Sequence, residues 1–146
     1  MHNIIRKLRP GALDNLGLNE TIKDTVSSWQ KQHKNLKFSL KIKGEINDLG
    51  EVININIYRI IQESMNNTLK HAKASEILIN LNSLKKNLKL EFSDNGIGFN
   101  KKILKNSKQF GLIGIKERVQ SLKGTFELQT SLSNGVKLII LIPKRQ

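Results

Sequence analysis

The chain has no cysteine, so a disulfide framework and a thiolate zinc site are both excluded, and a reducing compartment fits. Its three histidines, His2, His33 and His71, are scattered and do not form a metal cluster. Long apolar runs are missing too. The longest, residues 136–142, is interrupted by Lys137 and falls far short of the roughly 20 residues that cross a bilayer, and no charged-then-apolar signal segment opens the chain. Aromatic residues are only 5% of the composition and no nucleic-acid-binding motif of the usual kinds occurs, which argues against a specific nucleic-acid partner.

What is abundant is positive charge. Lys and Arg total 25 against 12 acidic residues, a formal charge of +13 over 146 residues, so an anionic partner is expected. The basic residues are spread along the whole chain, with a cluster only at Lys101, Lys102, Lys105 and Lys108, and most of them read as a solvated surface. The length suits one domain with one core.

Local patterning gives the element order. Residues 1–9 read as the end of a helix stopped by Pro10 and Gly11. Ile22, Val26 and Trp29 recur at helical spacing, so a helix is expected from Asn19, its cap, to about Lys34. Leu36, Phe38, Leu40 and Ile42 alternate as a strand ended by Gly44. Residues 48–73 form the longest helical candidate. Ile77, Ile79 and Leu81, then Leu88, Leu90 and Phe92, predict a hairpin, and residues 94–110 a long loop. A helix over 111–123 and a last hairpin turning at Asn134 and Gly135 complete the chain. The order predicts an α+β fold, a two-layer sandwich with helices on one face of a mixed, mostly antiparallel sheet.

Three segments carry chemistry. On the long helix, Ile57, Ile61, Met65, Leu69 and Ala72 group as a core stripe, while Asn56, Arg59, Glu63, Asn67 and Lys70 lie opposite. Glu63 and Asn67 are four apart with Lys70 and His71 one turn on, so one wall offers acid, amide oxygen and cation. An amide oxygen is a hard ligand suited to Mg²⁺, and a nearby Glu can orient or deprotonate a nucleophile. Spacing alone favours the plainer reading, a solvated helix face with a Glu63 to Asn67 or Glu63 to Lys70 contact. Asp94-Asn95-Gly96-Ile97-Gly98 follows a strand directly: its glycines let backbone approach a flat ligand and its Asp can accept from an exocyclic amine, though the run is also ordinary turn material. Gly111-Leu112-Ile113-Gly114-Ile115 opens a helix, where free N–H groups favour phosphate, unless it is only a hinge. No P-loop occurs.

In this order the segments resemble the nucleotide-binding boxes of the histidine kinase ATPase family, whose Bergerat fold is shared with gyrase and MutL-type ATPases. Glu63-Ser-Met-Asn-Asn67-Thr-Leu-Lys70-His71-Ala72 matches the family's N box, Asp94-Asn-Gly96-Ile-Gly98 its first glycine box, and Gly111-Leu-Ile-Gly114-Ile-Lys-Glu-Arg118 its second. Leu8-Arg9-Pro10 with Leu16-Gly17-Leu18 resembles the junction after the dimerisation helices in the subfamily of nitrate and hexose-phosphate sensors. The resemblance implies ATP and Mg²⁺ as ligands. By it, Asn67 ligates the metal, Glu63 orients or activates the attacking group and Asp94 holds the adenine amine. Gly96 and Gly98 shape the adenine pocket, Lys70 and His71 lie near ribose or phosphates, and Gly111, Leu112 and Gly114 close over the triphosphate.

The same resemblance implies residues 1–12 as a remnant of the dimerisation and phosphoacceptor helix, and 13–146 as the ATP-binding catalytic domain of a cytoplasmic, two-component kinase segment whose parent is membrane-anchored. Further partners implied are the parent's dimerisation helices and a response regulator. The family's phosphoacceptor histidine is followed by Asp or Glu; His2 precedes Asn3, His33 precedes Lys34 and His71 precedes Ala72. The chain is therefore expected to bind ATP as a monomer without phosphorylating itself on histidine. Val136 stands where many relatives have threonine. The alternatives are a serine kinase or plain ATPase of the same fold, and a basic nucleic-acid-binding module, which steep salt dependence of binding would distinguish.

Overall fold

The computed structural model describes residues 10–97, 112–130 and 135–145. Helix α1 (Pro10–Gln32) leads into β1 (Lys37–Lys43), α2 (Glu51–Asn67) into the hairpin β2 (Glu76–Ser83) and β3 (Asn87–Asp94), and α3 (Leu112–Ser121) into β4 (Thr125–Thr130) and β5 (Val136–Pro143). The five strands form one sheet in the order β1-β2-β3-β5-β4. β1 and β2 run parallel and every other pair antiparallel. A parallel pair needs a crossover, and α2 supplies it.

Alternation in the strands sends Ile77, Ile79 and Leu81, Leu88, Leu90 and Phe92, and Leu138, Ile140 and Ile142 to one face, where all are buried. Against them pack Leu18, Ile22 and Val26 of α1, Ile53, Ile57, Ile60, Ile61 and Met65 of α2, and Ile115 and Val119 of α3. All three helices thus cover one side of a mixed sheet, the two-layer α+β sandwich expected from the sequence. The other side is open and carries Glu91 between Lys89 and Lys137, at 3.9 and 3.2 Å. Polar ties hold the helices in place: Thr25 and Tyr58 share a 2.8 Å hydroxyl contact between α1 and α2, and the Gln30 amide accepts from Phe38 N at 3.0 Å and donates to Leu36 O at 2.6 Å.

Four local expectations are corrected. Pro10 begins a helix and Gly11 lies inside it, since proline has no N–H to lose in a first turn; the break within the described residues comes at Gly17, at φ 81 and ψ 162. The expectation for residues 1–9 lies outside the described residues. Asn19 does not cap the helical stretch beyond that break. Its backbone N–H is taken by Asn47 Oδ1 at 3.1 Å, so the cap comes from the loop before α2, and the Asn19 side-chain oxygen is buried without a partner. The turn expected at Asn134 and Gly135 falls mostly outside the described residues, but the register pairs Thr130 with Val136, so five positions and not two separate the paired strands.

The fourth correction concerns the face of α2. Leu69 is 44% exposed, not core, and Thr68 is buried at 5%. Four residues advance a helix by about 400°, so each step of four drifts about 40° off the stripe. Three such steps carry Leu69 about 120° from Ile57, whereas Thr68, eleven residues on, returns to within about 20°. From Thr68 to Ala72 the helix widens into a π-turn, ended by Lys73 in the left-handed region at φ 49.

Candidate functional site

Asp94 is the last residue of β3, where the strand leaves the sheet. Its Oδ1 accepts from Gly96 N at 2.8 Å, a turn in which the side chain mimics a backbone carbonyl, and its Oδ2 accepts from the Thr68 hydroxyl at 3.1 Å. Burial pushes the carboxyl above the usual carboxylate range; donation from Gly96 N, Thr68 Oγ1 and the Val136 backbone N–H pulls the other way and offsets part of it. Val136, an aliphatic residue, contributes through its backbone N–H alone. Asn95 faces elsewhere. Its oxygen accepts from Ser75 N and Glu76 N at 2.8 and 2.9 Å and its amide donates to Ser75 Oγ at 2.9 Å, so it pins the end of β3 to the start of β2.

Gly135 fits this corner because nothing larger does. It has φ 74, and a Cβ there would fall on the Asp94 carbonyl oxygen, 3.1 Å from its carbon and 3.2 Å from Asn95 Cα. The backbone of β5 can therefore approach the end of β3 closely, leaving the Asp94 carboxylate at the end of this central strand, against Thr68 just beyond α2.

The other wall is built by Glu63. Its Oε1 accepts from Arg118 Nε at 2.9 Å, and Arg118 Nη1 also donates to Asn56 Oδ1 at 3.3 Å, which ties α3 to α2. The same carboxylate lies over Gly114: a Cβ there would sit 3.0 Å from Glu63 Oε2. The acid of the first segment and a glycine of the third are thus in contact, although neither spacing nor local pattern links them. In the sequence Arg118 is only the end of a box, and its partner 55 residues earlier in the chain leaves no local signal.

Asn67 is half-buried and follows Glu63 by one turn, Lys70 is exposed on the π-turn, Gly96 is buried and Leu112 is half-buried at the start of α3. The side chain of His71, and Gly98, Gly111 and the Lys101–108 cluster, lie outside the described residues. Sequence reasoning misses Thr68 because a threonine reads as polar surface; its position eleven residues after Ile57, three full turns, is the signal that would have found it.

Among the described residues no group of three or more His, Cys, Asp or Glu is placed to hold a metal. Asn67 offers one hard oxygen, which suits an ion that takes most of its ligands from phosphates and water. A cleft of about 960 Å³ lined by Lys85, Lys86, Asn87, Pro143, Lys144 and Arg145 lies at the other end of β3 and shares no residue with these walls.

Replacing Arg118 with Gln leaves Glu63 half-buried without its cation. We expect a loss on the order of 1 kcal/mol and a melting temperature lower by about 3 °C. A thermal melt unchanged within error would mean that the pair contributes nothing to docking α3 on α2.

The model of a family described as histidine kinase-, DNA gyrase B- and HSP90-like ATPases matches residues 53–146. The chain is 37% identical over 143 residues to a signal transduction histidine-protein kinase/phosphatase DegS of Brevibacillus brevis, covering 98% of this chain and 36% of that protein. To the sensor histidine kinase ComP of Bacillus subtilis it is 36% identical, covering 93% of this chain and 18% of that one. It therefore spans about a third or less of these two relatives. In solved structures, the histidine kinase domain of an Erythrobacter litoralis blue-light activated histidine kinase superposes with a TM-score of 0.70 at 18% identity, over 88% of this chain and 62% of that one, a likeness of fold. No helix among the described residues is long and apolar enough to cross a membrane.

Proposed function

The chain belongs to the histidine kinase-, DNA gyrase B- and HSP90-like ATPase family, and on that footing we propose that it is the ATP-binding catalytic domain of a two-component sensor histidine kinase. It positions Mg-ATP for transfer of the γ-phosphoryl group to a histidine on the dimerisation helices of a longer, membrane-anchored parent, from which the group passes to a response regulator. The observation that carries the reading is the Asp94 carboxylate, held by Thr68 and Gly96 where β3 meets α2.

An ionised carboxylate only accepts, and the exocyclic amine of adenine only donates, so Asp94 is suited to hold the base. Glycine at 96 lets backbone come close to a flat ring, and glycine at 135 lets β5 close against the Asp94 backbone. On the other side, the N-terminus of α3 faces the end of α2 through Gly114 and Glu63, where free N–H groups favour phosphate oxygens. Lys70 is exposed on the π-turn that follows Asn67 and adds positive charge. Asn67 holds the Mg²⁺, which neutralises phosphate charge when bound. Glu63, anchored by Arg118, orients the attacking group rather than roaming as a free base. Catalysis of this kind rests on positioning and electrostatics, with little covalent chemistry for the protein to do. The domain itself is monomeric in this reading, dimerisation residing in the helices outside it.

Calorimetric titration with a non-hydrolysable ATP analogue, with and without Mg²⁺, tests this on wild type, Asp94→Asn and Asn67→Ala. Wild type is expected to bind, and Asp94→Asn to bind at least about tenfold more weakly, the loss of one hydrogen bond to a charged group. Asn67→Ala is expected to lose the gain that Mg²⁺ brings. Wild-type affinity in Asp94→Asn would sink the assignment of the base.

The same variant carries an opposite expectation for stability. The folded pKa of Asp94 lies above its unfolded value, so its favourable contribution is complete at low pH and is lost as pH rises through the folded value. At neutral pH the ionised group is a net burden on the unliganded fold. Asp94→Asn should therefore melt no lower than wild type without nucleotide, and a clear drop would show that the acid is structural.

A further inference from the structure

A buried threonine on a helix has a default partner, the carbonyl one turn earlier. Ser64 takes it, donating to Ile60 O at 2.8 Å, and so does Thr21, donating to Gly17 O at 2.8 Å. Thr68 does not. Its hydroxyl reaches 26 residues along the chain to Asp94 Oδ2, from a side chain only 5% exposed at the first position of the π-turn.

We propose that Thr68 is the positioning residue that fixes the Asp94 carboxylate as a hydrogen-bond acceptor and thereby sets a preference for adenine over guanine nucleotides. The inference rests on the reading of Asp94 as the group that contacts the base. Adenine presents an amine donor where guanine presents a carbonyl acceptor. An ionised carboxylate pairs with the first and repels the second, whereas a protonated carboxyl tolerates the second. Any donor to the ionised form therefore favours adenine.

Burial works against that form at Asp94, and three donors support it. Two are backbone N–H groups, of Gly96 and Val136, which no substitution removes without moving the chain. Thr68 is the one side chain among the three. Charged groups on the elements around it are Lys70 on the π-turn, Lys73 at its end, Glu76 on β2 and Lys137 on β5, with the titratable His71 also on the π-turn and its side chain outside the described residues. Lys70 and Lys73 are exposed, and Glu76 and Lys137 fall on the other face of their strands from Ile77 and Val136, the register partners of Asp94. The hydroxyl is thus the adjustable element in the balance.

Thr68→Val keeps the shape and removes the donor; Thr68→Ser keeps the donor. Affinities for non-hydrolysable ATP and GTP analogues are measured by calorimetry across acid to neutral pH, beside Asp94→Asn. For Thr68→Val we expect about tenfold weaker binding of the ATP analogue, a smaller ATP-to-GTP ratio, and loss of ATP binding on acidification beginning at higher pH than in wild type. Thr68→Ser is expected to restore all three. If valine prevents folding, Thr68→Ala takes its place. Equal weakening of both nucleotides with an unchanged pH profile would make Thr68 a packing residue and overturn the proposal. So would wild-type behaviour in Thr68→Val while Asp94→Asn loses binding, an outcome that leaves the Asp94 reading standing. If Asp94→Asn also binds like wild type, the base contact itself is wrong and this inference falls with it.

Discussion

Gly135→Ala is expected to melt about 10 °C below the wild-type chain and to lose most of its nucleotide affinity. The residue sits at φ 74, where a side chain costs roughly 1–2 kcal/mol, and the added methyl falls on the Asp94 carbonyl. The obstacle is backbone, so β5 must move away from the end of β3, adding roughly 1–3 kcal/mol of overpacking. A sum of about 3 kcal/mol lowers the melting temperature of a chain this size by about 10 °C. Binding suffers for a separate reason: the carboxylate that moves with that carbonyl is the one assigned to the base. A melt within about 2 °C of wild type would show that the strands separate here at little cost.

Ile57→Ala should have a comparable effect on stability with none on the site. Ile57 is fully buried in the middle of α2, packed with the sheet residues of the core, and truncation there costs about 3 kcal/mol, the sum of lost transfer energy and a cavity. Urea unfolding would read this as a lower midpoint with an unchanged slope. Leu69→Ala is the matched control, since Leu69 is exposed and its truncation should stay within about 0.5 kcal/mol. If Leu69→Ala cost as much as Ile57→Ala, the assignment of the buried face of α2 would be wrong.

The two variants also separate what a sequence can and cannot say about this molecule. Strands were legible because period two admits no drift: Ile77, Ile79 and Leu81 must share a face. The buried face of α2 was legible near its middle and misread toward its end, where steps of four residues accumulate an angular error that period-two elements never do. The three boxes were legible as local patterns, and their order suggested one site. Contacts that assemble them were not. Arg118 meets Glu63 across 55 residues, Thr68 meets Asp94 across 26 and Asn47 caps Asn19 across 28. Each is a polar pair made possible only by how helices cross the sheet, and no window of neighbouring residues contains both members.

The cleft formed by Lys85, Lys86, Lys144 and Arg145 lies at the opposite end of β3 from Asp94. Seven residue steps of strand put about 23 Å between the two ends. At physiological ionic strength the Debye length is about 8 Å, so nearly three screening lengths intervene. These four cations therefore add almost nothing to the pull on a nucleotide held at Asp94, and replacing all four should leave ATP affinity nearly unchanged. Their field acts at its own pole, within about one screening length of it.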